Sequence, residues 1–351
     1  MDQSVKIGLV AGRAMVDPTG VGEYTRNLLQ ALQPKVPGLC CLSSEEQSSS
    51  FWHKVLAPFQ LRSQGFSLLH FMAEWELYFF RAGSAKTVVT IHGCASNVLP
   101  PELHEQMPRH VLLKYRYLLR RADAIVTVSE ASKRDIIEVF RVPPEKVTVI
   151  YNGISELFRQ RALSGERPLS NERPFILGVG ATIPKKNVIG MLRALAILKS
   201  AGFPHRFVHV GPKGWGHEAI LREVQRLGLH NDIELKGYLP AEELVRYYTT
   251  ADVFLFPSLH EGFGMPILEA MACGCPVVAS DCHSMPEVAG GAALLVDPYD
   301  PARIAEAVER LLTDGQTRQH LIEKGRQRAP QFPWEKTASE VLALYQRVMT
   351  R

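Results

Sequence analysis

Apolar and polar residues follow one repeating order along this chain. A short apolar run is followed by a glycine-rich or polar turn, then by a stretch whose apolar positions return every three or four residues. Lys6 to Val10 is such a run, Ala11 to Gly20 the turn, and Val21, Tyr24, Leu28, Leu29 and Leu32 the stripe of a helix. Strand-like runs follow at Leu68 to Phe71, Thr87 to Ile91, Ala124 to Val128 and Val147 to Ile150, the last two bracketing a helix with Ser129 at its cap position. Beyond Tyr151-Asn152-Gly153, the stretch Gln160 to Arg173 is polar and breaks the order. The order restarts with strand Phe175 to Val179, helix Val188 to Ser200, and strands Arg206 to Val210, Ile233 to Leu235, Val253 to Phe256 and Val277 to Ser280. Helices Pro301 to Leu312, Thr317 to Arg328 and Glu335 to Met349 close the chain. Strand–helix repeats on both sides of a polar linker predict an α/β protein of two Rossmann-like domains facing a central cleft. The expected division is 1–160, a linker 161–173, a second domain 174–332, and a terminal helix 333–351.

Composition narrows the class. The 351 residues are 46% hydrophobic, enough for a core in each domain. No apolar run reaches the roughly 18 residues of a membrane span, and M-D-Q-S-V-K-I-G leads directly into a strand, so a cytoplasmic location is expected. Six cysteines lack zinc-type C-x-x-C spacing and read as buried reduced thiols. A net charge of +4 is too mild to imply a nucleic-acid partner. Its distribution is uneven: residues 1–170 carry 20 Lys and Arg against 16 Asp and Glu, whereas residues 171–351 carry 20 against 20. That excess suits an acidic acceptor or an anionic membrane surface, or is simply a solvated face. Helix Met107 to Arg121 poses the same choice. Val111, Leu112, Tyr115, Leu118 and Leu119 lie on one side, with Arg109, His110, Lys114, Arg116, Arg120 and Arg121 around the rest. It fits peripheral contact with an inner membrane face, and equally a helix packed on a sheet with its basic residues in water. Leu42 to Ser50 reads as a polar excursion.

The chemistry concentrates between Ala251 and Pro298. Pro266 suits the start of a helix and Cys273-Gly274 its end, so the amides of Gly262, Phe263, Gly264 and Met265 face outward where parallel sheets bind anions. Glu261 and Glu269 flank that turn; carboxylates repel a bare phosphate, so they must serve hydroxyl donors on a sugar or a ribose, or only complement the helix dipole. Lys185 and Lys186 open another helix and oppose its dipole, which a bound anion would offset. His92 stands just past a strand end, placed for a ligand although a lone histidine is more often structural. Gly20 and Gly22 permit close approach of a phosphate to the backbone, or mark a turn; Thr25 stands where a dinucleotide fingerprint needs its third glycine. Trp215, in V-G-P-K-G-W-G, reads as a packing anchor.

E-G-F-G-M-P-I-L-E-A-M-A-C-G-C-P-V-V-A-S resembles the E-x(7)-E signature of the retaining nucleotide-sugar glycosyltransferases of family 4. The resemblance implies the GT-B fold, with an acceptor-side first domain, a donor-binding second domain and a last helix that crosses back to the first. It further implies sugar transfer from a nucleotide-sugar donor to a glycan or lipid-linked acceptor, with retained configuration and no metal or cofactor. The chain has no D-x-D motif placed to hold a metal. T-G-V-G-E-Y-T-R-N-L-L resembles the family's glycine loop against the diphosphate, which carries over Gly20 and Gly22. V-V-T-I-H-G resembles the segment whose histidine contacts the transferred sugar, so His92 is carried over, while Gly93 stands where an Asp is frequent. Lys186 matches the lysine that grips the diphosphate; Ala181 stands where many members have Arg, leaving Lys185 to substitute. Around Gly237-Tyr238-Leu239-Pro240 the family holds the base, which brings in Tyr238. The T-I-P-K-K-N and V-G-P-K-G-W-G segments look like those of mannosyltransferase members in polysaccharide biosynthesis, which points to GDP-mannose. The alternatives are a nucleotide-sugar epimerase, a non-catalytic nucleotide-sugar binding protein, and a phosphorylase, for whose pyridoxal cofactor no specific lysine is evident.

Overall fold

A computed structural model describes residues 5–15, 17, 20–43, 65–77, 84–164 and 173–350. The chain forms two compact units, Met1–Val98 with Met107–Gly153 and Phe332–Arg351, and Leu99–Gln106 with Ile154–Gln331.

In the first unit, strands β1 (Ile7–Gly12), β2 (Leu39–Ser43), β3 (Leu68–Phe71), β4 (Lys86–Ile91), β5 (Ala124–Thr127) and β6 (Val147–Val149) form a sheet in the order β2-β1-β3-β4-β5-β6. Every pairing is parallel. Helices cover such a sheet, so its central strands are apolar almost throughout, and β3 is buried at all four positions. One core packs Phe71, Val89, Ile91 and Ile125 against Leu119 of helix Arg109–Arg121 and Ile136 and Phe140 of helix Glu130–Phe140. Ser129 caps the latter helix by accepting from the Ser132 amide at 3.0 Å. Helix Trp334–Met349 packs against helix Gly20–Leu32, with Trp334 edge-on to Tyr24 at 5.6 Å.

The second unit contains β7 (Phe175–Val179), β8 (Arg206–Val210), β9 (Ile233–Gly237), β10 (Val253–Phe256), β11 (Val277–Ser280) and β12 (Leu294–Val296) in the order β12-β11-β10-β7-β8-β9. All pairings are again parallel. The order runs outward in opposite directions from β7 and β10, so the carboxyl ends of these two strands flank a switch point, where open α/β sheets bind ligands.

Several expected boundaries move. The first strand runs on to Gly12, and β2 occupies the start of the segment read as a polar excursion, whose residues 44–50 lie outside the described ones. Helix Glu156–Ser164 belongs to the second unit, so the division falls at Gly153 rather than 160; its buried Phe158 meets Tyr248 edge-on at 5.9 Å. Leu99–Gln106 also counts with the second unit, and linker residues 165–172 are outside the described ones. Of the six free cysteines, Cys94, Cys273 and Cys275 are buried, while Cys40, Cys41 and Cys282 are only half-buried. Among the described residues no helix is long and apolar enough to cross a membrane.

Candidate active site

At the carboxyl end of β7 the chain turns at Gly180, where a Cβ would press on the Lys186 methylenes at 3.1 Å. A single turn, Pro184–Lys186, then presents both lysines, and Asn187 follows in the left-handed region at φ 57°. Asn187 holds this arrangement in place. Its Oδ1 caps helix Val188–Ser200 by accepting from Gly190 N–H at 3.2 Å, while its Nδ2 donates to the carbonyls of Pro257 (3.0 Å) and Pro298 (2.6 Å). The Leu259 amide donates to the Lys185 carbonyl at 2.7 Å, so the lysine turn is tied to the loop after β10.

That loop carries Glu261. Lys186 Nζ donates to Glu261 Oε1 at 2.6 Å and lies 5.1 Å from the centre of the Phe256 ring. Burial alone would raise the Glu261 carboxyl, but the charges of Lys186 and Lys185 and the Lys186 hydrogen bond outweigh it and hold it below the usual range. Burial, opposed by Glu261 and reinforced by Lys186, lowers Lys185. Ser284 Oγ fixes the backbone on either side of Gly262, within hydrogen-bond reach of the Glu261 carbonyl (2.9 Å) and the Phe263 carbonyl (2.7 Å). Gly264, at φ 107°, forms the turn into helix Met265–Ala272, a conformation that strains any other residue. Pro266 is thus the second helical residue rather than the first. Glu269, one turn on, is buried and accepts from Tyr248 Oη at 2.9 Å. Tyr238 stands exposed just beyond β9, and Trp215 is exposed as well. The packing role expected for Trp215 is therefore wrong: it is the backbone at Gly214 and Gly216 that sits against Thr182 and Pro184, leaving the indole in solvent.

In the first unit, Gly20 and Gly22 open their helix, and a Cβ on Gly22 would collide with the Asp17 carbonyl at 1.9 Å. His92 follows β4 directly; its Nε2–H donates to the Met72 carbonyl at 2.9 Å and its ring sits edge-on to Tyr24 at 4.7 Å. Burial pushes its pKa down to about 4, against the opposing effects of that hydrogen bond and of Asp17, so the ring is neutral near pH 7. Behind it lies a buried polar chain. His70 bridges Tyr345 Oη and Thr90 Oγ1, both at 2.7 Å, and Tyr24 Oη lies 3.4 Å from Thr90 Oγ1.

The structure thus brings Lys185, Lys186, Glu261, Gly262, Phe263, Gly264, Met265 and Glu269 together at one end of the second sheet. Sequence reasoning missed Asn187, Ser284 and Tyr248. An asparagine directly before an apolar helical run is a cap signal that identifies Asn187. Nothing in the sequence separates Tyr248 from the adjacent Tyr247.

Two six-stranded parallel sheets in two Rossmann-like domains define the GT-B fold. Residues 160–328 match the family described as glycosyl transferases group 1, and residues 21–156 match glycosyltransferase family 4. O-antigen chain mannosyltransferase B of Escherichia coli is 30% identical over 266 residues, covering 74% of this chain and 70% of that protein. Serotype-specific mannosyltransferase WbdA of Escherichia coli is 31% identical over 240 residues, covering 65% of this chain; the chain spans only 29% of that relative's length. Sucrose-phosphate synthase from Thermosynechococcus elongatus superposes with a TM-score of 0.79 at 21% identity, over 99% of both chains. The chain belongs to the group 1, family 4 glycosyltransferases.

Proposed function

We propose that the protein transfers mannose from GDP-mannose to a glycan or lipid-linked acceptor, with retention of configuration and without a metal. The observation that carries this reading is the Lys186–Glu261 pair beside the amides that open helix Met265–Ala272. A departing diphosphate needs positive charge already in place, and a lysine with a helix N-terminus supplies it. Lys185 adds a second cation where Ala181 provides none. Glu261 then faces the sugar and Glu269 the ribose, since hydroxyls are good donors to carboxylates. In this reading His92 orients the transferred sugar, Gly20 and Gly22 offer amides to the diphosphate, and the backbone around Tyr238 holds the base. The leaving phosphate oxygen takes the acceptor proton, so no separate base is required.

The choice of mannose rests on the two Escherichia coli relatives, both named as mannosyltransferases. For the acceptor side, helix Arg109–Arg121 buries Tyr115, Leu118 and Leu119 but leaves Leu113 55% and Tyr117 53% exposed among basic residues. An apolar pair ringed by cations suits an anionic membrane surface at which a lipid-linked acceptor resides.

A panel of sugar nucleotides scored by thermal stabilisation, followed by NMR of the product anomer, tests the reading. GDP-mannose should stabilise most and give an α-linked product at a rate unchanged by chelator. Stabilisation without product indicates a binding protein, and sugar epimerisation without acceptor an epimerase. An activity lost to chelator and restored by magnesium or manganese overturns metal independence.

A further inference from the structure

We infer that Tyr248 is a positioning residue that aims the Glu269 carboxylate, and that it thereby sets the preference for a ribose over a sugar lacking the 2′ and 3′ hydroxyls in the nucleotide. This rests on the reading that Glu269 receives the ribose hydroxyls. Tyr248 lies on helix Ala241–Thr250 and is fully buried. Its ring is clamped edge-on by Phe254 of β10 (5.3 Å, 73°) and by Phe158 (5.9 Å, 76°), so the phenol oxygen has one place to go. There it donates to Glu269 Oε2 at 2.9 Å. Burial, together with the adjacent Glu269 charge, keeps the phenol protonated at any working pH, so it is a permanent donor.

The last torsion of a glutamate is soft, with broad minima, so each hydrogen bond to its oxygens narrows the range of orientations it takes. A hydrogen bond from a rigid aromatic to one oxygen restricts the plane of the group and the direction in which its second oxygen accepts. A diol read by two hydrogen bonds needs that direction set before it binds, because ordering it afterwards costs affinity.

The test measures binding of GDP and of 2′,3′-dideoxy-GDP by calorimetry to wild type, Tyr248→Phe, Glu269→Gln and the double variant. Tyr248→Phe keeps the ring and removes only the hydroxyl. The GDP-to-dideoxy-GDP affinity ratio should fall about tenfold in Tyr248→Phe, the scale of one hydrogen bond to a charged group, with dideoxy-GDP affinity nearly unchanged. A wild-type ratio in Tyr248→Phe, or equal loss of both ligands, overturns the inference and leaves Tyr248 a packing residue. Glu269→Gln is the control for the underlying reading: if it keeps the wild-type ratio, the ribose role of Glu269 fails, whatever Tyr248 does. In the double variant the carboxylate charge is gone, which keeps the test available should Tyr248→Phe alone not fold. Its ratio should equal that of Glu269→Gln, and a further fall would show Tyr248 acting independently of Glu269 and overturn the inference.

Discussion

Lys186 Nζ and Glu261 Oε1 meet at 2.6 Å with both side chains largely withdrawn from water, so each is the other's counter-charge before any donor binds. A diphosphate reaching Lys186 competes for a cation that is already engaged. Lys186→Ala should therefore do two separable things. Loss of one positioned charge should lower turnover roughly a hundredfold. Leaving the buried Glu261 carboxylate without Lys186 should also cost about 3 kcal/mol of stability. Adding Glu261→Gln should restore most of the melting temperature and none of the turnover. Wild-type kinetics in Lys186→Ala would remove it from the chemistry. Lys185→Ala should have the smaller effect unless it replaces the cation missing at Ala181.

His92 is held by the Met72 carbonyl and the Tyr24 edge and is neutral down to about pH 4. It is suited to orienting a hydroxyl, not to carrying charge near pH 7. His92→Ala should depress transfer while leaving free-nucleotide affinity nearly intact, and transfer by the wild type should show no ionisation of this group above about pH 5. An equal loss of nucleotide affinity in calorimetry would contradict the assignment.

Much of this was legible in the chain, for identifiable reasons. Strands β10 and β11 and helix Val188–Ser200 fall where their patterns place them, because apolar runs bounded by turn residues are strong local signals. Leu39–Ser43 was not, since Cys-Cys-Leu-Ser merges into a polar stretch and pairs with the distant β1. Helix Glu156–Ser164 buries only Phe158 and Ala162, too little for an apolar stripe to show. Lys186 and Glu261 are 75 residues apart, so their contact depends on two loops meeting at adjacent strand ends, which no local spacing encodes. The hydrogen bond from Tyr248 to Glu269 is hidden in the same way, because the helix face alone decides that Tyr248 and not Tyr247 points inward.

His209, on β8 between β7 and β9 of the second unit, is buried, and among the described residues its Nε2 has no hydrogen-bond partner. Burial, with help from Lys186 and His217, depresses its pKa to about 4. An unfolded histidine titrates near 6.5, so between these values the unfolded chain binds the proton and the folded one does not. Stability is therefore complete above about pH 6.5 and lost as pH falls toward 4. His209→Leu removes that linkage. Its unfolding free energy should fall less between pH 7 and 4.5 than that of wild type, by up to about 3 kcal/mol. Parallel stability curves for the two proteins would show that His209 is not a source of acid sensitivity.

The two carboxylates separate by their partners: Glu261 is joined to the cation at Lys186, and Glu269 to the neutral donor at Tyr248. If Glu269 reads the ribose, its contact exists in both the free nucleotide and the donor, so Glu269→Gln should weaken both alike. If Glu261 reads the sugar, its contact exists only in the donor and strengthens as positive charge develops on the ring. Glu261→Gln should then depress transfer. It should not weaken the free nucleotide, because the substitution releases Lys186 from its ion pair and leaves that cation more available to the diphosphate. Each lost charge-assisted bond corresponds to about 1.5–3 kcal/mol, or roughly ten- to a hundredfold. Calorimetry with GDP alone distinguishes the cases. A selective loss in Glu269→Gln, with Glu261→Gln at or above wild-type affinity, supports the division, and identical losses in both variants would mean that the two glutamates do not divide sugar and ribose between them.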